Sequence, residues 1–363
     1  MNLSKTLLLA CMLLAACEGN PFVEETDPTP DPDPDPVVTD GGINGAGAPV
    51  TTGTPSRERT IVRREARNDE DGSGFVAGVT YTAASGGNPE TFTVDGLAFD
   101  GGNVYQREDQ VGSLGPFAVY EADALYSDDV TGVPINQFTH RAIYGVSRSG
   151  RTQFALVRTG AYTGYGFGGF VYQRNGSVTL PATGQASYSG AYAGLRDFDG
   201  AGGLEYTTAD MTIDIDFNDF NEGDGVKGRV YNREIRDINN NDITDDVVTA
   251  LNTKFGTSLL QLPVLLFQVG PGALDANGEM GGGLDSTISP PGEAAEVYED
   301  GTTEEYGGCS GCGYYAVISG DATSGAQDEI VGVIVVESED PRAEGVTARE
   351  TGGFLLYRAP AAP

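Results

Sequence analysis

Residues 210–217 read Asp-Met-Thr-Ile-Asp-Ile-Asp-Phe, and this stretch decides the fold class. Met211, Ile213, Ile215 and Phe217 are apolar, whereas Asp210, Thr212, Asp214 and Asp216 between them are polar. A period of two belongs to an extended strand, which sends successive side chains to opposite faces of a sheet. The next run repeats the pattern with the opposite charge. Lys227, Arg229, Tyr231 and Arg233 share one face, and Val226, Gly228 and Val230 share the other. A turn through residues 218–225 predicts a hairpin with Asp216 opposite Lys227, Asp214 opposite Arg229, Thr212 opposite Tyr231 and Asp210 opposite Arg233. Phe217 then meets Val226, Ile215 meets Gly228 and Ile213 meets Val230. Opposite charges across a strand pair contribute roughly 0.2–1 kcal/mol each. The acidic ladder is therefore read as a solvated sheet face and not as a metal site.

Working outward, Gln185–Gly194 alternates Tyr188, Gly190, Tyr192 and Gly194 on one face with small residues on the other. Large and small side chains alternating on an inward face suit the interior of a narrow barrel. From Gly74 onward, apolar-alternating runs are separated by Gly, Asp, Asn and Pro clusters. The first half yields candidate strands at Phe75–Thr82, Glu90–Phe99, Asn103–Arg107, Phe117–Ala122, Arg141–Ser147, Thr152–Thr159 and Gly168–Arg174. The second half yields Gln185–Gly194, Thr208–Phe217, Gly225–Ile235, Leu262–Gly270, Tyr314–Gly320, Glu329–Glu337 and Gly353–Arg358. Many short strands with turn signals between them predict a sandwich or barrel. One helix is expected at Thr244–Phe255, with Thr244 capping, Asp245 and Asp246 in the first turn, Lys254 in the last, and Gly256 stopping it. Gly168–Arg174 and Gly352–Arg358 echo each other, which places a boundary near residues 175–183.

The segment Leu180–Tyr192, followed by the acidic alternating strand and a final strand containing Gly353 and Phe354, resembles the transferrin-binding protein B-like β-barrel surface lipoproteins, an architecture shared with factor H-binding proteins. The TGxAxYxGxY pattern at Thr183–Tyr192 carries most of the likeness. The resemblance implies a mainly β protein: an eight-stranded antiparallel β-barrel preceded by a smaller, handle-like antiparallel β domain, with one short helix inserted in the barrel. The chain holds one such unit, residues 74–179 as the handle and 180–358 as the barrel. The family motif is structural and transfers no ligand-binding residues.

The N-terminus reads as a lipoprotein signal peptide over residues 1–16. Lys5 supplies the positive region, Thr6–Leu14 a short apolar run, and Leu14-Ala15-Ala16-Cys17 a small-residue cleavage site ending in cysteine. The apolar run is too short to span a bilayer. Cys17 is thus the expected site of lipidation by fatty acyl chains such as palmitate, and Glu18 after it points to the outer membrane. Residues 17–73 are read as a tether: Pro alternates with Asp at 27–36, a stiff, self-repelling spacer. Arg57, Arg59, Arg63, Arg64 and Arg67 would then form a solvated lead-in.

The 363 residues carry 53 acidic and 21 basic side chains, a formal net charge of −32. That balance excludes nucleic acid and anionic membrane surfaces as natural partners. The membrane is reached through the N-terminal lipid alone, and a monomer binding an unidentified protein or small molecule is expected. After signal removal, Cys309 and Cys312 remain beside Cys17. A small-loop disulfide, a redox CxxC and half of a zinc site compete; the Gly-rich surroundings and the lack of further Cys or His ligands favour the disulfide.

Asp237, Asn239, Asn241, Ile243 and Asp245 match the first nine positions of a calcium loop, and calcium is the one cofactor the sequence raises. Asp242 replaces the turn glycine and Val248 the closing glutamate, so a capped Asn/Asp turn is the favoured reading. His140, the single histidine, is read as an ordinary polar residue. No nucleophile elbow, phosphate loop or dinucleotide fingerprint occurs, and no catalytic residue is assigned. A carboxylate-dependent hydrolase or lipid-modifying enzyme of the envelope is the alternative to a non-catalytic binding protein.

Overall fold

The computed structural model describes residues 57–97, 104–127, 130–136, 138–218, 225–268, 273–286 and 313–359. It is mainly β, with antiparallel sheets and one helix of 12 residues. The chain opens with β1 (Ile61–Arg64), the hairpin β2 (Gly78–Thr82) and β3 (Thr91–Asp95), and the short β4 (Gln106–Arg107) and β5 (Ser113–Leu114). Next come β6 (Phe117–Glu121), a second hairpin of β7 (Leu125–Ser127) and β8 (Pro134–Asn136), then β9 (Arg141–Val146), β10 (Thr152–Arg158), β11 (Gly169–Arg174) and β12 (Val178–Thr179). The long β13 (Gln185–Asp199), β14 (Leu204–Asp216) and β15 (Val226–Asp237) precede α1 (Thr244–Phe255). After the helix lie β16 (Leu265–Phe267), β17 (Glu279–Gly282), β18 (Leu284–Ser286), β19 (Gly313–Asp321), β20 (Ala326–Glu339) and β21 (Thr347–Arg358).

One sheet runs β1-β11-β10-β9-β6-β4, with β5 also on β6. The other runs β12-β19-β20-β21-β13-β14-β15-β16-β18. Only Gly283 separates β17, which pairs with β19, from β18, which pairs with β16. The segment Glu279–Ser286 therefore touches both ends of the ladder, and the second sheet curls back on itself. The interior of that curl holds Tyr188, Tyr192, Met211, Ile213, Ile215, Ile330, Ile334, Phe354 and Leu356, all buried. The inward face of β13 is thus the Tyr188–Tyr192 face that the sequence predicts. Both phenols end on carboxylates: Tyr188 Oη donates to Asp328 Oδ1 at 2.9 Å and Tyr192 Oη to Glu350 Oε1 at 2.7 Å.

The outward faces of β20, β21 and the second half of β13, from Ala193, are also dry, because the first sheet packs on them. Phe117, Ile143, Phe154, Leu156, Phe170 and Tyr172 share one core with Ala193, Leu195, Val331, Val333 and Leu355. Close approach depends on glycine: a Cβ on Gly353 would run into the Phe154 ring, and one on Gly352 into the Tyr192 ring. Buried hydrogen bonds cross this seam, made by charged groups whose ion-pair partners lie on their own sheet. Arg158, with no exposed side-chain surface, donates from Nη1 and Nη2 to Glu65 at 2.9 and 2.6 Å and also to Thr351. Glu329 of β20 accepts from Ser147, Ser149 and Thr152 of the first sheet.

Several expectations are corrected. The β14–β15 faces are as predicted, but the register is displaced by two residues: Asp214 lies opposite Lys227, Thr212 opposite Arg229, Ile215 opposite Val226 and Ile213 opposite Gly228. A shift of two preserves every face, so alternation cannot detect it. Asp216 instead faces Gln185 across β13 and accepts its side-chain amide at 2.7 Å. The tether does not extend to residue 73. Ile61 and Val62 are buried in β1, and Arg63 pairs with Glu279 of β17 at 2.8 Å, so the expected lead-in is an edge strand docked on the curled sheet. The helix bounds agree, but Ile243 is the N-cap without a side-chain bond. The Thr244 hydroxyl is occupied by the backbone N–H of Ile235 at 2.9 Å. Gly256 ends the helix in left-handed backbone, as expected.

Gly353→Ala is expected to destabilise the fold by about 1–3 kcal/mol through overpacking. Gly281→Ala, whose Cβ meets nothing closer than 3.4 Å, should have a much smaller effect. Urea unfolding of the two variants checks this, and equal midpoints would contradict it.

Candidate functional site

Register fixes which loops of the first sheet come together. Glu121 lies opposite Arg141, Arg141 opposite Arg158, Val157 opposite Gly169, and Arg64 opposite Val171. The connections 65–77, 122–140 and 159–168 consequently leave the sheet at one end. They carry a chain of aromatic rings: Phe75 and Phe167 have centroids 4.7 Å apart, Phe167 and Tyr162 5.9 Å, and Tyr162 and Phe138 4.3 Å. The Arg67 guanidinium lies 4.1 Å from the Phe75 ring centre. Exposed apolar side chains concentrate in the same connections. Leu125 is 58% exposed, Val130 92%, Val133 59%, Phe138 47% and Phe167 41%, whereas Val146 and Leu260 are the other large exposed hydrophobics among the described residues. Leu125 belongs to the β7–β8 hairpin, which joins neither large sheet.

The loops stand on a braced base. Thr159 Oγ1 donates to Thr139 O at 2.7 Å, joining two of them. His140 does the same, with Nδ1 3.2 Å from Phe138 O and Nε2 3.2 Å from Phe167 O. A neutral imidazole can donate to only one of these carbonyls; burial lowers the His140 pKa although both carbonyls oppose the shift. The 159–168 loop is also sutured to the β13–β14 turn, where Gly203 N donates to Gly160 O and Gly200 N to Thr163 O. Beneath it, the Tyr165 ring covers Arg349, whose Nη2 and Nε donate to Asp197 at 2.6 and 3.2 Å and whose Nη1 donates to Ser73.

No family model and no curated protein matches the sequence. Among solved structures, three of Transferrin Binding Protein B are similar. A double mutant from Haemophilus parasuis Hp5 has 9% identity and a TM-score of 0.35, covering 83% of this chain and 45% of that one. Intact Ap-TbpB, with N and C lobes, has 10% identity and a TM-score of 0.30, covering 84% and 61%. A single mutant from Haemophilus parasuis Hp5 has 9% identity and a TM-score of 0.31, covering 85% and 67%. This chain thus spans from under half to two thirds of their lengths.

The residues singled out in sequence fare differently. Cys17, Cys309 and Cys312 lie outside the described residues. The Asp237–Asp245 loop is a closed turn: Asp237 Oδ1 accepts from the N–H groups of Asn239 and Asn241 at 2.8 Å, and Oδ2 accepts the Asn241 amide at 2.8 Å. These bonds, the Asn241 side chain first, hold the Asp237 carboxyl below its ordinary range. Ile243 O accepts from Val247 N at the helix start. The aromatic loops escaped the sequence reading, although their signal was present: Gly160–Gly169 is built of Gly, Tyr, Phe, Ala and Thr, the composition of adaptable contact loops.

Glu337, on the seam below these loops, is raised by burial; Arg349 opposes the shift, and Asp71 and Asp197 reinforce it. A carboxyl with a raised folded value contributes stability that is complete below its unfolded value, near 4.5, and is lost as pH rises through the folded one. Glu337→Gln is expected to raise the urea midpoint at pH 7 and to flatten its decline above pH 4.5. An unchanged pH profile would count against this.

Proposed function

We propose that the chain is a non-catalytic, lipid-anchored surface protein of the bacterial envelope that binds a protein ligand through the aromatic loop end. The observation that carries the reading is the placement of those loops. The described chain begins at Arg57, whose carbonyl accepts from Val178 N, and β1 starts with Ile61 opposite Arg174, at the far end of the sheet from Phe138, Tyr162 and Phe167. A body tethered from Cys17 through that entry would hold its exposed aromatic end away from the bilayer. Aromatic anchors on a rigid base, with apolar side chains already exposed, are what protein interfaces use.

Several buried carboxylates support a binding rather than a catalytic role, because each is engaged in the fold. Glu350 is paired with Arg233, Asp197 with Arg349, Glu65 with Arg158, and Asp328 with Arg358 and Tyr188.

Two variants of the full chain separate the parts of the proposal. Cys17→Ala should move the protein from the membrane fraction to the soluble one. In that background, immobilised protein should retain a specific extracellular protein, and Val133→Ser with Phe138→Ser should cut retention at least tenfold with an unchanged urea midpoint. Membrane retention of Cys17→Ala would remove the anchor; equal retention by the loop variant would remove the site.

A further inference from the structure

Net charge argues against an anionic surface as a partner, but the charge is unevenly placed. Over much of the surface an arginine is matched by a neighbouring carboxylate, as Arg67 is by Asp69, Arg107 by Glu90 and Arg236 by Glu234. Arg57, Arg59, Arg148 and Arg151 have no carboxylate partner among the described residues. Arg57, Arg59 and Arg148 are exposed, and Arg151 is half-buried.

The fold gathers these four at one end. Arg148 and Arg151 belong to the turn from β9 to β10, and Arg57 and Arg59 precede β1. The connection from β11 to β12 joins them: Arg151 Nη2 donates to Ser177 O at 2.9 Å, and Val178 N donates to Arg57 O at 2.7 Å. Arg174 Nη2 donates to Arg59 O at 3.2 Å, and the Arg148 guanidinium lies 4.4 Å from the Tyr357 ring centre. This is the end where the described chain enters the fold, opposite to the aromatic loops.

The described acidic groups near them are engaged or distant. Glu329 lies buried under Ser147, Ser149 and Thr152, Asp328 pairs with Arg358, and Asp321 is held by Thr323 and Ser324 of its own turn. Glu58 stands between Arg57 and Arg59 in sequence. Asp214 and Asp216 belong to β14, three strands from the β20 edge that Arg151 approaches through Gln327. At about 4.8 Å per strand they lie beyond the roughly 8 Å over which a charge acts at physiological salt. The acidic excess of the whole chain therefore does not cancel the four guanidinium groups at this end.

We infer that this end is a docking surface for the phosphate headgroups of an anionic membrane, which seats the body end-on over the bilayer with its aromatic loops outward. A guanidinium presents paired N–H donors that match phosphate oxygens. The inference rests on the lipid-anchored reading above, which puts this end beneath the body. An anchor makes the contact intramolecular, so the arginines orient the body without having to hold it by themselves.

The test takes the chain from residue 17 on with Cys17→Ala, which carries no lipid, and sediments it at low ionic strength with vesicles. Vesicles of phosphatidylcholine and phosphatidylglycerol should bind at least tenfold more protein than phosphatidylcholine alone, and physiological salt should remove the difference. Arg57→Gln with Arg59→Gln and Arg148→Gln should cut binding at least tenfold with an unchanged urea midpoint. Arg67→Gln with Arg236→Gln and Lys254→Gln removes the same charge elsewhere and should leave binding unchanged, as should Val133→Ser with Phe138→Ser. Should the first triple variant not fold, Arg57→Gln with Arg59→Gln should still cut binding at least threefold. Equal binding to both kinds of vesicle, or equal loss in the two triple variants, would overturn the proposal. Binding that appears only once residues 24–40 are deleted would overturn it too, assigning the arginines to the chain's own acidic stretch. Failure of the anchor is read separately, from the membrane fraction of cells, and does not touch the vesicle result.

Discussion

The structure depends on the dry contact between the first sheet and the outer faces of β13, β20 and β21. A curled sheet normally leaves one face of each strand to water, so its strands alternate apolar with polar. Here β20 reads Ile-Val-Gly-Val-Ile-Val-Val at 330–336, apolar on both sides, because Val331 and Val333 meet the first sheet while Ile330 and Ile334 fill the curl. Each sheet therefore supplies a wall of the other's core. Phe154 fits against β21 because position 353 is glycine, and Arg158, held by its ion pair with Glu65, aligns the two surfaces through its bonds to Thr351.

Burying such pairs rarely adds net stability, but removing one partner leaves a charge uncompensated and costs roughly 3–5 kcal/mol. The bonds that cross the seam act chiefly against misdocking, since a displaced seam would take Thr351 from Arg158, Ser73 from Arg349, and the Ser147, Ser149 and Thr152 hydroxyls from Glu329. The same constraint prepares the loop end. Connections springing from strands locked in the seam, and tied to the β13–β14 turn, present Phe138, Tyr162 and Phe167 from a rigid base. A surface ordered in advance loses less entropy on binding.

Much of this was legible in the sequence. Alternation gave the faces of β13, β14 and the first part of β15, the inward Tyr188 and Tyr192, and the span of α1. It failed where charge is buried. Arg196, Asp197, Glu337, Arg349 and Glu350 read as strand ends or loops, yet they lie inside β13, β20 and β21, where Asp197 pairs with Arg349, and Glu350 with Arg196 and Arg233, within the curled sheet. Alternation could not fix the β14–β15 register either, nor foresee the bulge at Asn232 that brings Arg233 to Glu350. β1 was hidden by its arginines, and the return through Glu279–Ser286 by its glycines, since neither run carries an apolar pattern long enough to announce a strand. The aromatic loop end is assembled from three connections distant in sequence, and only the sheet register brings them together.

The central claim is that both sheets share one core and fold as one unit. Native-state amide hydrogen exchange tests it most directly, by comparing Phe154, Ala155 and Leu156 in β10 with Val331, Val333 and Leu355 across the seam. The account predicts that all six open with the same free energy and respond equally to denaturant. Opening of the β10 amides several kcal/mol more easily, with those of β20 and β21 still protected, would show two separately stable bodies and contradict it.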